Sequence, residues 1–368
     1  MKLFLQYSGA VLLALPLAPM APAQPTPQLA PALAACFASQ AALTPFSGLV
    51  LAEQGRDSFW QTAGTIDGSA APARDTPYHL ASVGKVFTQI AIGQLVDQGR
   101  VRLDAPIGTY LPGLPPALAA VTVEQLIQHR SGISGNIMLT PELAATLRSA
   151  RSARDLLPLV VNQPLDFPPG TQTLYSNGGY FVLGAIVEAA SGLTYSDYLE
   201  RRIFRPLGMT RSGVAGGPGT APSMSRLQGP GQPPLDRPVP ARFMPDLPGN
   251  PAGDSVSTAD DLARLARALL GHGLLSDATK ARVFPRRGEV WRIGQAGGRP
   301  GANAYFMVYP ERGAALVVLT NYDPPGGELM GETLGALLAG QPCHPLSEAD
   351  RPSPMRIMRP PPPGQPHG

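Results

Sequence analysis

Ser82 and Lys85 stand three residues apart at the head of an apolar-periodic run, Val86 to Val96, that closes at Asp97-Gln98-Gly99. Read as a helix, the run puts both side chains on one face, because residues at i and i+3 are neighbours with Cβ atoms roughly 5–6 Å apart. A serine hydroxyl is a weak nucleophile until a positioned base takes its proton. A lysine fills that role only as the neutral amine, a form that burial and the positive end of a helix favour. The same helix start favours a developing alkoxide, so the pair predicts nucleophilic catalysis at Ser82.

Two fixed letters in four form a weak motif, and alone they read as an ordinary helix start. Composition strengthens the chemical reading. The chain takes nearly all its positive charge from arginine and places lysine only at Lys2, Lys85 and Lys280. Arginine would serve equally well on a solvated surface, but it stays protonated and cannot act as a base.

The elements that must hold this pair come from both ends of the chain. Phe46 to Ala52 and Ser58 to Thr65 read as two strands joined by a turn at Glu53 to Asp57, and a Gly/Ala/Pro loop leads from them to the Ser82 helix. Helices follow at Thr122 to His129, Pro141 to Leu147, Ala153 to Val161, Gly178 to Ala190 and Thr194 to Ile203. Gly213 to Gly253 is dense in Pro and Gly without a sustained period. A helix from Thr258 to Leu270 then precedes strand-like runs at Glu289 to Gly294, Ala304 to Tyr309 and Ala314 to Asn321, and a closing helix spans Leu329 to Leu338.

Two strands, a helical middle, three strands and a helix imply an α/β (α+β) fold. An antiparallel sheet flanked by helices occupies residues 24–108 and 252–345, and a mostly helical lobe containing the Pro/Gly-rich loop occupies 109–251. A cleft between two such lobes is a usual place for a site. Met1-Lys2, the apolar Gly9 to Leu17 and the Ala21-Pro22-Ala23 site read as a signal peptide over 1–23, too short to span a bilayer. The mature protein is therefore expected in the periplasm or medium, without stable membrane insertion. Leu33-Ala34-Ala35-Cys36 resembles a lipobox but lies far from the apolar segment, which argues against lipid anchoring at Cys36. Residues 346–368, Pro-rich toward the end, are expected to be a disordered tail.

Other functions find little support. A net charge of +3 without a basic aromatic stripe argues against nucleic-acid binding. His79, His129, His272 and His344 lack metal-ligand spacing, so no metal is expected. No Walker, dinucleotide or G-x-S-x-G pattern occurs, and no cofactor is predicted. His129 reads as fixing a helix end rather than doing chemistry. Cys36 and Cys343 admit either a disulfide, if the ends of the mature chain pack together in an oxidising compartment, or two free thiols.

Ser82-Val83-Gly84-Lys85, followed by Tyr175-Ser176-Asn177, resembles the serine beta-lactamase and penicillin-binding-protein superfamily, and within it the class C beta-lactamase-like branch with its D,D-peptidases, D-amino-acid amidases and esterases. Glu124 to Ile133, Pro206 to Met209 and Ala252 to Leu262 carry further phrases of the pattern, in family order from Phe46 to Asn321. The resemblance implies a beta-lactamase-like fold and a serine hydrolase that forms an acyl-enzyme on an amide, lactam or ester. Its substrate would be a small molecule or peptidoglycan-like. Ser82 would be the nucleophile, Lys85 its partner and Tyr175 the general base, with Asn177 contacting the substrate. Without the Ser82 and Lys85 pair, Tyr175 and Asn177 would read as a capped helix start with a packed ring.

The third family motif aligns with Gly294 to Gly301. Backbone N–H groups of Gly298 and Ser82 would form the oxyanion hole. Gln295 stands where the family carries a lysine or histidine, and Ala296 lacks the usual hydroxyl. Either the substrate has no carboxylate near this strand, or Arg299 or Arg292 supplies the charge. A catalytically weak protein that binds an envelope ligand on the same scaffold is the alternative function.

Overall fold

The computed structural model describes residues 29–350 apart from 45, 135–144, 147–148, 215–219, 227–238, 241–248 and 254. The signal segment, most of the Pro/Gly-rich loop, nearly all of the helix expected at Pro141 to Leu147 and residues 351–368 lie outside the described residues. Five strands form the main sheet: β1 (Gly48–Gln54), β2 (Asp57–Ala63), β3 (Ile293–Arg299), β4 (Ala302–Tyr309) and β5 (Ala314–Thr320). Their order is β2-β1-β5-β4-β3, and every neighbouring pair is antiparallel.

The two ends of the chain therefore meet at the β1–β5 pairing, where Leu49 faces Leu319 and Leu51 faces Val317. Strands covered on both faces need apolar residues at every position rather than at alternate ones. β1 begins in that way: Leu49 and Leu51 enter one core, Val50 and Ala52 the other. The main helices are α1 (Leu29–Leu43), α2 (Lys85–Asp97), α3 (Val123–Ile127), α4 (Asn177–Ser191), α5 (Ala259–Leu270) and α6 (Gly326–Leu338).

α1 and α6 cover one face of the sheet. At Gly331 an added Cβ would fall 2.2 Å from the Tyr305 ring, and at Gly335 2.3 Å from the Tyr309 hydroxyl. Only a bare backbone lets α6 lie this close to β4. Cys36 of α1 is disulfide-bonded to Cys343, with Cα atoms 5.9 Å apart, which decides between the two readings of the cysteines. Gln40 bonds both the N–H and the carbonyl of Leu346, and Asp350 accepts from the N–H and hydroxyl of Ser347. Leu346 is thus tied to α1, and a local turn follows it.

On the other face α5 packs against β1, β4 and β5, with its N-terminus capped by Thr258, which accepts from the Asp261 N–H at 3.1 Å. α2 and α4 pack on each other, and one continuous core runs from them to the sheet. Among the described residues no helix is long and apolar enough to cross a membrane.

Three element expectations need correction. The strand expected at Glu289 to Gly294 is found at Ile293–Arg299, because the glycine-rich segment, poor in intrinsic β preference, pairs with β4 throughout. The helix expected over Thr194 to Ile203 is Tyr195–Leu199 followed by a π-helical turn, Glu200–Phe204. An unexpected helix, Asp277–Val283, forms behind a Ser276 cap.

Candidate active site

Ser82 lies in a 3-10 turn, Ala81–Gly84, that runs directly into α2. Its predecessor Ala81 has φ +44°, a left-handed conformation that costs a non-glycine residue about 1–3 kcal/mol and clusters at functional sites. Backbone presses on this turn from two sides. A Cβ on Gly253 would fall 2.7 Å from the Ala81 carbonyl oxygen, and one on Gly297 of β3 would fall 2.8 Å from the Ser82 nitrogen. Small residues in both segments are thus what lets the walls close on the serine.

The Lys85 ammonium is fully buried and donates to three acceptors: Ser82 Oγ at 3.3 Å, Asn177 Oδ1 at 2.8 Å and the Ala252 carbonyl. The Asn177 and Ala252 oxygens can only accept, whereas Ser82 Oγ can either accept from Nζ or donate to it, so the contact suits proton transfer between the pair in either direction. Nζ also lies 4.8 Å from the Tyr175 ring centroid and 5.3 Å from that of Tyr180, within cation–π range. The Tyr175 hydroxyl donates to Ser82 Oγ at 2.7 Å.

Local sequence explains why Tyr175 and Asn177 arrive together. Ser176 is the N-cap of α4, its Oγ accepting from the Gly179 N–H at 3.0 Å. As the residues flanking this cap, Tyr175 and Asn177 are brought to Ser82 and Lys85 from opposite sides of one fixed position.

Beside them is a pocket of about 670 Å³, whose walls include His129, Tyr175, Tyr180, Arg287, Arg292 and Gln295. His129 is packed between two tyrosines, with ring centroids 4.7 Å from Tyr175 and 5.3 Å from Tyr180. Loss of water around the imidazole, and then the Lys85 and Arg287 charges, push its pKa down to about 3. Burial likewise holds the Tyr180 phenol well above its usual range. Below pH 6.5 the unfolded chain protonates this histidine before the folded one does, so stability is expected to fall as pH drops from 6.5 toward 3. Urea unfolding across that range should show a shallower fall for His129→Asn than for the unaltered protein.

Gln295 donates from its side-chain amide to the Ser82 carbonyl, so the third motif faces the nucleophile. Gly298 lies on β3 opposite Asn303 and is solvent-exposed. Of the arginines named as charge replacements, Arg299 is buried and already engaged, and Arg292 lines the pocket and pairs with Glu332 at 3.5 Å. Arg287 is the pocket arginine without an ion pair among the described residues. Sequence reasoning missed Arg287, the carbonyl of Ala252 and the proximity of His129 to Tyr175. Only the Ala252-Gly253 phrase and the Gln-His-Arg-Ser-Gly segment marked any of them beforehand.

A protein-family model described as Beta-lactamase matches residues 45–341. The chain belongs to the beta-lactamase family. Within this family it is 30% identical over 314 residues to penicillin-binding protein 4 of Amycolatopsis lactamdurans, covering 72% of this chain and 79% of that protein. The crystal structure of a penicillin-binding protein from Bacillus halodurans superposes with a TM-score of 0.68 at 26% identity, covering 83% of this chain and 99% of that one. D-amino acid amidase from Ochrobactrum anthropi SV3, at 24% identity and a TM-score of 0.70 over 83% of this chain and 95% of its own, shares the fold. The beta-lactamase-like mixed α/β fold expected from the sequence is the one observed.

Proposed function

We propose that this protein is a secreted serine hydrolase that cleaves an amide, lactam or ester through an acyl-enzyme at Ser82. The observation that carries the reading is the convergence on Ser82 Oγ of the Tyr175 hydroxyl at 2.7 Å and the Lys85 ammonium at 3.3 Å. Tyr175 is the base: its oxygen, once deprotonated beside Lys85, takes the serine proton as Oγ adds to the substrate carbonyl. It then delivers that proton to the leaving group as the scissile bond breaks, leaving an ester on Ser82. Water gives a proton to the same oxygen as it adds to the ester, and that proton passes to Ser82 Oγ as the acyl group leaves. Lys85 stabilises negative charge on Tyr175 and Oγ in turn, while Asn177 and the Ala252 carbonyl hold it in place. The N–H groups of Ser82 and Gly298 would take the oxyanion, a role in which one lost donor typically costs about 2.7–4 kcal/mol.

A nucleophile already bonded to its base favours turnover over the binding-only alternative. The Cys36–Cys343 disulfide supports export, since such bonds persist in oxidising compartments. Purified protein assayed on a p-nitrophenyl ester and a chromogenic cephalosporin tests the reading, and turnover of neither would oppose it.

Arg287 supports carboxylate-bearing substrates despite the neutral Gln295. A charge-assisted bond is worth about 1.5–3 kcal/mol, so Arg287→Ala is expected to raise KM for the cephalosporin, which carries a carboxylate, about 10- to 100-fold. The uncharged ester should change little. Equal KM values for cephalosporin in the two proteins would remove Arg287 from recognition.

A further inference from the structure

His129 has no part in the proton path above, yet three separate contacts bind it to Tyr175. Its carbonyl accepts from the Leu174 N–H at 2.9 Å. Its Nδ1 accepts from the Ser176 N–H at 3.1 Å. The residues immediately before and after Tyr175 are thus hydrogen-bonded to a single residue, and the imidazole also lies against the phenol ring at 4.7 Å and 32°.

His129 reaches this position with φ +58°, a conformation uncommon for a residue with a side chain. The turn that holds it there is pinned to the same segment: Arg130 O accepts from the Gly170 N–H at 2.7 Å, and Gly132 O from the Asp166 N–H at 2.7 Å. An imidazole accepting at Nδ1 carries its hydrogen on Nε2 and is neutral. Neutrality matters, because the Lys85 ammonium already stands near the Tyr175 ring at 4.8 Å and Arg287 lines the same pocket.

We propose that His129 is a positioning residue for Tyr175: by fixing both backbone neighbours and one ring face, it holds the phenol oxygen on Ser82 Oγ. The proposal rests on the reading of Tyr175 as the base, and adds what keeps that base in register. A misplacement of about 1 Å at a reacting group can cost about 10²-fold in rate.

The test compares His129→Ala with His129→Asn, whose side-chain carbonyl replaces the Nδ1 acceptor and whose residue type tolerates the left-handed backbone. On a p-nitrophenyl ester, His129→Ala is expected to lower kcat about 10- to 100-fold with KM within about threefold, and His129→Asn to recover at least about fivefold of that loss. In a Tyr175→Phe background the alanine substitution should change kcat less than about twofold, because its effect passes through the missing hydroxyl. Equal losses in both backgrounds would overturn the proposal.

A crystal structure of either variant supplies a readout independent of turnover. In His129→Ala the Tyr175 oxygen is expected beyond hydrogen-bond distance of Ser82 Oγ. A phenol left in place would overturn the positioning role even if no ester is cleaved, whereas absence of cleavage by the unaltered protein counts only against the hydrolase reading. Should the alanine variant fail to fold, His129→Leu, which fills the site without an acceptor for the Ser176 N–H, takes its place, and a kcat and a phenol position unchanged in it would be equally contrary.

Discussion

Ser82→Ala is expected to lower kcat on any ester or lactam that the protein turns over by at least about 10⁴-fold. The size follows from covalent catalysis in which nucleophile and base act as a unit, where loss of the nucleophile costs about as much as loss of the whole set. Ser82 Oγ is the atom on which the Tyr175 hydroxyl and the Lys85 ammonium converge, and no other hydroxyl is described in that position. The walls formed by Gly253 and Gly297 touch only the backbone of the turn, so removing one oxygen should leave the fold intact. Initial rates measured alongside an unchanged thermal unfolding profile would separate chemistry from stability. A variant retaining more than about a tenth of the activity would mean that another group attacks.

Tyr175→Phe is expected to cost about 10²- to 10⁴-fold in kcat, the range for loss of a general acid–base group, with a much smaller change in KM. The phenylalanine keeps the ring between His129 and the Lys85 ammonium and deletes only the oxygen 2.7 Å from Ser82 Oγ. Because the same phenol serves acylation and deacylation, stopped-flow traces should show both phases slowed. Loss confined to deacylation would assign the first proton transfer to another base, with Lys85 the nearest candidate.

Much of this was legible before folding was considered. Segments near both ends of the chain read as short apolar runs bounded by turns, as buried strands do, and the pairing of β1 with β5 is what joins them. The three-residue spacing of Ser82 and Lys85 survives even though the turn is 3-10 before it becomes α-helical, since i and i+3 are neighbours in both. The cap at Ser176 explains why Tyr175 and Asn177 could be read as a pair.

What was not legible depends on backbone atoms and on pairing. β3 is written in glycines that carry little strand preference, and its register is imposed by β4 and by the close approach to Ser82. The Ala252 carbonyl has no side-chain signature, so its bond to Lys85 was missed. Arg287 looks like any exposed arginine until the pocket places it near His129 and Tyr180.

The most direct test is to expose the folded protein to a fluorophosphonate probe and locate the adduct by peptide mass spectrometry. One adduct is expected, on the Ser82 oxygen, absent from Ser82→Ala and formed at least about 100-fold more slowly in Tyr175→Phe. An adduct on a different residue, or labelling at Ser82 that proceeds equally fast without the Tyr175 hydroxyl, would contradict the assignment.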